Sequence, residues 1–273
     1  MKILVCGDTM QDEYWHGSTS RLSPVAPVPV VSIKHQETRA GAAANVAANI
    51  EAMGVQVERI FGMGEIIRKI TVTTSGQHIA RLDFDYPQLP IEPDAVFMAA
   101  IERCDMVVAL DYGKGSLVNI AALIQSSNGK PFLIDPKGHD YTRYRGAALL
   151  KPNRDEMREL VGGWATREER DYKARQFLYQ SDDGCDVGAI LLTQAADGMT
   201  LYTRTDTLHL EAENNSPVDV SGAGEAALSA YAVGLAKGYE PNFCLRFASR
   251  AAGLAIAKAG TVVLTEDQVF GTG

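Results

Sequence analysis

The string Asp219-Val220-Ser221-Gly222-Ala223-Gly224-Glu225 runs straight into an apolar, alanine-rich stretch, which sets one carboxylate where a glycine turn meets a helix. Glycines lacking a Cβ let backbone N–H groups close on an anion, and the first helical turn adds unpaired donors and partial positive charge. Glu225 beside such a cradle could take the proton from an attacking hydroxyl, the general-base task in phosphoryl transfer. A Gly-Ala-Gly turn serves loop-to-helix packing equally well, so the turn alone leaves both readings open.

Three further strings carry polar groups to places where strand ends would converge. Gly7-Asp8-Thr9-Met10-Gln11-Asp12 offers carboxylates to the hydroxyls of a polyol, or else is a capped turn. Ala40-Gly41-Ala42-Ala43-Ala44-Asn45 opens a helix with small residues, allowing close approach of a ligand with Asn45 as a polar contact, or simply tight helix packing. Lys151-Pro152-Asn153-Arg154-Asp155-Glu156 puts Asn153 and Glu156 on one face at a helix start, a pattern that is also a capping box.

The elements that must position these groups alternate. Ile3 to Cys6, Met106 to Leu110, Phe132 to Ile134 and Ala189 to Leu192 read as buried strands, each followed by Gly, Asp or Pro. Helical patterns run roughly from Ala42 to Met53, Pro93 to Cys104, Leu117 to Ser127, Arg154 to Val161 and Glu168 to Tyr179. This rhythm predicts a doubly wound α/β fold, a mostly parallel sheet with helices on both faces and ligand sites outside the carboxyl ends of the strands. Pro24 to Ile33 is too proline-rich for a central strand and suits an edge or lid. Ile70 to Phe84 alternates around Ser75-Gly76 as a hairpin does, so a small β-flap is expected, with lid strands near 24–33 and 67–86. No repeat or linker divides the chain, and residues 1–273 are read as one domain.

Bulk composition points the same way. A net charge of −8 without a long basic run argues against a nucleic-acid or anionic-membrane partner and for a small molecule. Cys6, Cys104, Cys185 and Cys244 are far apart and form no CxxC pair, which fits reduced thiols in the cytoplasm rather than a zinc site. The apolar start Met1 to Val5 is too short for a signal sequence. A GxGxxG dinucleotide fingerprint is absent after the first strand, which ends in Gly7-Asp8-Thr9-Met10.

In their order, the motifs resemble the ribokinase-like (PfkB) carbohydrate kinases over nearly the whole chain. The strings Gly7-Asp8-x-Met10-x-Asp12-x-Tyr14-Trp15-x-Gly17, Asp111-Tyr112-x-Lys114-Gly115, Asp135-Pro136-Lys137-Gly138 and Tyr144-Arg145-Gly146-Ala147 resemble the kinase half of the bacterial heptose 7-phosphate kinase/adenylyltransferases (HldE type). The adenylyltransferase half has no counterpart. The resemblance implies phosphorylation of a sugar or sugar phosphate by ATP with Mg²⁺, and leaves a monovalent cation open. It implies Glu225 in the place of the base, with Gly222, Ala223 and Gly224 as the anion hole. Asp12, Gly41 and Asn45 match sugar-binding positions. Asn153 and Glu156 match the NxxE motif associated with Mg²⁺ and phosphate, and Thr193 and Gly198 match nucleotide-binding positions. Lys114, Lys137, Arg143 and Arg145 carry the charge to grip a sugar phosphate, or are solvated surface cations. A homodimer formed through Pro27 to Ile33 and the Ile70 to Phe84 hairpin is expected.

Four departures from the family pattern fall at the site. Glu225 replaces an aspartate and moves the carboxylate by on the order of 1 Å, a displacement that can cost ~10²-fold in rate. Gly41-Ala42 replaces a Gly-Gly pair, an effect expected to be mild if the backbone there is helical. The chain passes from Gly62-Met63-Gly64 directly to Ile67, where relatives carry a helix and a strand. Ser249-Arg250 stands where an Asn-Ala pair is common beside the adenine. Two classes of function follow: a sugar kinase that tolerates Glu225, or a pseudokinase that binds a sugar phosphate or nucleotide as a sensor or partner module.

Overall fold

The computed structural model describes residues 1–138, 140–179, 185–214 and 216–271. Its first half contains β1 (Lys2–Gly7), β2 (Thr9–Leu22), β3 (Pro29–Ala42), α1 (Ala43–Ala52), β4 (Gln56–Phe61), β5 (Ile67–Thr74), β6 (Gln77–Phe84), α2 (Ala95–Arg103) and β7 (Met106–Leu110). There follow α3 (Ile120–Ser126), β8 (Phe132–Asp135), β9 (Leu149–Leu150), α4 (Arg154–Val161), α5 (Arg167–Phe177), β10 (Ala189–Thr193), β11 (Met199–Thr203) and β12 (Thr207–Leu210). Three helices close the chain, α6 (Ala223–Ala236), α7 (Pro241–Ile256) and α8 (Glu266–Phe270).

Eight strands form the central sheet in the order β12-β11-β10-β9-β8-β7-β1-β4. The run from β10 to β4 is parallel, and β11 and β12 extend it antiparallel. Parallel strands need both faces covered, and β1 shows how its sequence meets that need. Ile3 and Val5 point into a core built with α1, α6 and α7, while Leu4 and Cys6 point into a second core built with α2, α3 and α5. The continuous apolar run that predicts a buried strand is thus two interleaved half-cores.

A second sheet, ordered β3-β2-β5-β6, stands on the first as a lid. Only the end of the proline-rich segment enters it: 23–28 contains no strand, and edge strand β3 begins at Pro29, pairs only with β2 and runs on to Ala42, well past the Ile33 expected from sequence. The Ser75-Gly76 hairpin forms between β5 and β6, with both residues at positive φ. The length of β2 was not legible: its mixed, polar sequence hides fourteen residues of strand because one face looks onto the site and the other is only half covered. The chain passes from β4 to β5 through residues 62–66, which contain no helix or strand. Every lid strand is thereby rooted at the carboxyl-end side of the central sheet.

Candidate active site

Helix α6 begins where the glycine turn was read. Gly222 adopts φ 74°, a left-handed conformation open to glycine, and no side chain caps the helix start. Glu225 lies one turn in and is buried. Its carboxylate reaches across to the lid root: Oε1 accepts from the backbone N–H of Ala42 at 3.1 Å and from the Tyr112 hydroxyl at 2.7 Å, and Oε2 accepts from Asn45 Nδ2 at 2.5 Å. Burial pushes the Glu225 carboxyl up to about 7; the Asn45 and Tyr112 hydrogen bonds pull it down, and the nearby charges of Asp12 and Asp135 push it up. A buried carboxyl titrating there suits a general base near neutral pH.

Ala42 does not have the helical backbone under which replacing glycine would be mild. It caps α1 from outside at φ 50°, ψ −130°, a region that favours glycine. Gly41 is tightly constrained as well, because a Cβ there would lie 2.7 Å from Asp12 Oδ2. Asp12 sits on the same lid face as its register partners Arg39 and Lys69. Burial raises the Asp12 carboxyl against the opposing charges of Lys69 and Arg81.

On the other side of α6, a cavity of about 520 Å³ is lined by Asn153, Thr193, Gly198, Ala223, Gly224 and Ser249 among others. Asn153, Thr193, Gly198 and Ser249 therefore share one space with Ala223 and Gly224, while Gly222 and Glu156 lie outside its lining. Thr193 bridges to Asn153 by strand pairing, which draws the loop after β10 onto the start of α4. Asn153 and Glu156 form the capping box that the bare spacing allows: Asn153 Oδ1 accepts from the N–H groups of Asp155 and Glu156, and Glu156 Oε2 accepts from that of Asn153.

The four cations differ in their surroundings. Lys137 pairs with Glu156 at 3.1 Å, Lys114 with Asp85 at 2.7 Å, and Arg143 with the buried Asp111 at 3.3 Å. Arg143 also donates to the Leu117 carbonyl and lies over the Tyr144 ring. Arg145 is exposed beyond the 3-10 turn Tyr141–Tyr144.

Three groups at the site escaped sequence reasoning. Lys151 is almost fully buried, its Nζ lies 3.1 Å from Asp135 Oδ1, and a Cβ on residue 224 would come within 3.0 Å of it. Its ammonium therefore faces the anion turn, and burial pushes Asp135 up to about 6 despite that partner. Asp219 accepts from the N–H groups of Ser221 and Gly260, both at 2.9 Å, and these donors hold its carboxyl low against the cost of burial. Tyr112 is the third. Lys151 and Tyr112 each sit inside a motif string already singled out, so the signal was present without a reason to choose the residue. Among the described residues no cluster of three or more His, Cys, Asp or Glu could hold a metal ion.

An α/β sheet with a β-lid, a glycine turn at a helix start and a buried carboxylate beneath the lid are the architecture of the ribokinase-like fold. The pfkB family carbohydrate kinase model matches residues 73–268, and the chain belongs to that family. It is 37% identical to a D-beta-D-heptose 7-phosphate kinase of Bordetella bronchiseptica, over 99% of this chain and 95% of that one. It is equally similar, at 37%, to the bifunctional protein HldE of Pseudomonas fluorescens, over 98% of this chain but 62% of that protein's length. The first match runs over 302 positions while the whole chain has 273 residues, so about thirty positions of the relative have no counterpart here. Among solved structures, Arabidopsis thaliana ribokinase complexed with ribose and ATP superposes with a TM-score of 0.76 at 18% identity, covering 98% of this chain and 96% of that one. Escherichia coli phosphofructokinase-2 in complex with potassium gives 0.74 at 15% identity, covering 98% and 96%.

Proposed function

We propose that the protein transfers the γ-phosphoryl group of ATP to a sugar phosphate, with a D-glycero-D-manno-heptose 7-phosphate as acceptor and its anomeric hydroxyl as nucleophile. The observation that carries this reading is the position of Glu225, a buried carboxylate between a cavity of nucleotide size and a lid bearing Asp12 and Asn45's neighbouring turn. The 37% identity to a heptose 7-phosphate kinase supports the choice of sugar.

In this reading Glu225 accepts the hydroxyl proton, and Asp12 and Asn45 orient the sugar. The backbone N–H groups of 222–224 face the phosphate in transfer, and Lys151 adds a fixed positive charge behind them. Gly224 fits a phosphate because a side chain there would fill the space in front of Lys151. Mg²⁺ would be held through the nucleotide phosphates and water, with Asn153 and Glu156 nearby, and supplies charge neutralisation on those phosphates. Lys114, Lys137, Arg143 and Arg145 are the cations offered to the sugar's own phosphate.

We place this kinase in the cytoplasm as one domain with its lid. Four free, buried cysteines suit a reducing compartment, and among the described residues no helix is long and apolar enough to cross a membrane. The same reading has the lid pair with that of a second copy, since β6 is exposed along its whole length and carries Ile79, Leu82 and Phe84 at the surface. Sedimentation showing only monomer at micromolar concentration would remove the dimer.

The deciding experiment is an ADP-release assay against heptose and hexose phosphates, run beside a thermal-shift screen with ATP and ADP. Turnover with a heptose 7-phosphate, abolished by Glu225→Gln, is the expected result. Absence of any nucleotide shift defeats the reading. A nucleotide shift without turnover favours the alternative, a binding-only homologue, which the triple engagement of Glu225 supports.

A further inference from the structure

We propose that Tyr112 is the positioning residue of this site, holding the longer glutamate carboxylate in one orientation so that a single acceptor direction remains for the substrate hydroxyl. The inference rests on the kinase reading of Glu225 and adds to it a residue to which no motif gave a role.

A carboxylate offers about four lone-pair directions. Three are occupied here. Oε1 takes the Ala42 N–H at 3.1 Å and the Tyr112 hydroxyl at 2.7 Å, while Oε2 takes Asn45 Nδ2 at 2.5 Å. One direction on Oε2 is left.

The donors differ in what anchors them. Ala42 ends lid strand β3 and follows the lid root, whereas Asn45 lies in the first turn of α1, which packs into the core on the central sheet. Tyr112 is rooted in the central sheet as well, on the side of β7. Asp8, fully buried at the end of β1, accepts from the N–H groups of Tyr112 at 2.9 Å, Lys114 at 3.0 Å and Ser116 at 3.1 Å, and from the Ser116 hydroxyl at 2.5 Å. That web fixes the loop after β7 and with it the phenol. Tyr112 thus holds the carboxylate from the β7 side, Ala42 holds it from the lid root and Asn45 from α1, and the three together leave it one orientation.

The lid reports its position to the same ring. Lys69, on lid strand β5, holds its ammonium 5.4 Å from the Tyr112 ring centroid. Across the register Lys69 faces Asp12 and Asp83. Lys69 thus sets a cation on the outer face of the phenol while its hydroxyl holds the base.

The charged groups around Glu225 come from every side: Asp12 from the lid, Asp135 from the end of β8, Lys151 behind Gly224, and Tyr112 with Lys69 above it. Of these, the Tyr112 hydroxyl is the one that donates directly to the carboxylate, so its loss should favour the protonated acid.

The test is Tyr112→Phe, which keeps the ring and removes the donor. Turnover with ATP and a heptose 7-phosphate is measured against pH. In parallel, the Glu225 carboxyl is titrated by carbon-13 NMR of labelled glutamate, its resonance identified by its loss in Glu225→Gln. The expected results are a fall in kcat of about 10-fold, KM values within about two-fold of the parent, and an acid limb and carboxyl titration moved to higher pH by about one unit. An unmoved titration in the folded variant overturns the proposal, as does a rise in KM with kcat unchanged, which would make Tyr112 a substrate ligand. If the parent turns over no sugar phosphate, the kinase reading is what fails, and the titration still decides the role of Tyr112.

Discussion

The Asn45 side-chain amide meets Glu225 Oε2 at 2.5 Å, joining the first turn of α1 to the start of α6 across most of the chain. A glutamate makes this span, and the same carboxylate reaches Ala42 and Tyr112. An aspartate would draw back by on the order of 1 Å and lose this set of donors. Glu225→Asp should therefore lower kcat by about 10- to 100-fold. A gain in turnover would show that the site still prefers the family's shorter acid.

The acid limb of kcat/KM should lie near pH 7, where the buried Glu225 carboxyl titrates. The sign for stability is opposite to that of a salt-bridged acid. The folded carboxyl sits at about 7 against 4.5 for the free group, so between these values the native state binds more protons than the unfolded chain. The Glu225 contribution thus falls as pH rises from 4.5 to about 7. Urea unfolding across this range should show a shallower decline for Glu225→Gln than for the parent; equal slopes would contradict the perturbed carboxyl.

Ala42→Gly should stabilise. The backbone at φ 50° and ψ −130° costs an alanine about 1–3 kcal/mol. Glycine gives back part of that through its unfolded-state entropy and the loss of a buried methyl, about 1.5 kcal/mol together. The melting midpoint should rise by about 1–2 °C. A lower midpoint would show that the methyl's packing outweighs the strain.

Gly224→Ala tests the cradle. The added Cβ would come within 3.0 Å of Lys151 Nζ, which pairs with Asp135 at 3.1 Å, and would fill the space in front of that ammonium. The KM for ATP should rise by about 10-fold with the fold intact. An unchanged KM would move the phosphate site away from this turn.

Most of the scaffold was legible because buried parallel strands announce themselves. β7 and α4 fall where their patterns place them, at Met106–Leu110 and Arg154–Val161, and the capping box of α4 was readable from Asn153 and Glu156 alone. The lid was only half visible. Its hairpin showed in alternation and Ser75-Gly76, whereas β2 lines a polar site and lacks an apolar signature. Backbone geometry was legible where a motif dictates it, as at Gly222 and Gly41. The contacts of Tyr112, Lys151 and Asp219 were not, because they join distant parts of the chain. No local spacing encodes that encounter.

Residues 62–66 join the central sheet to the lid directly, with no helix or strand between β4 and β5. A tether of that length spans at most about 18 Å when fully stretched. It is a short leash. β2 and β3 are tied more tightly still, β2 to β1 through Asp8 alone and β3 directly to α1, so the lid is held along its roots and is freest at the far tips, near 23–28 and 75–76. The cavity of about 540 Å³ lined by Gly62, Met63, Ile66 and Gln88 also takes Thr38, Arg39 and Ala40 of β3, so it sits among these roots, where the lid has least room to move, and substrate is expected to enter past the tips instead.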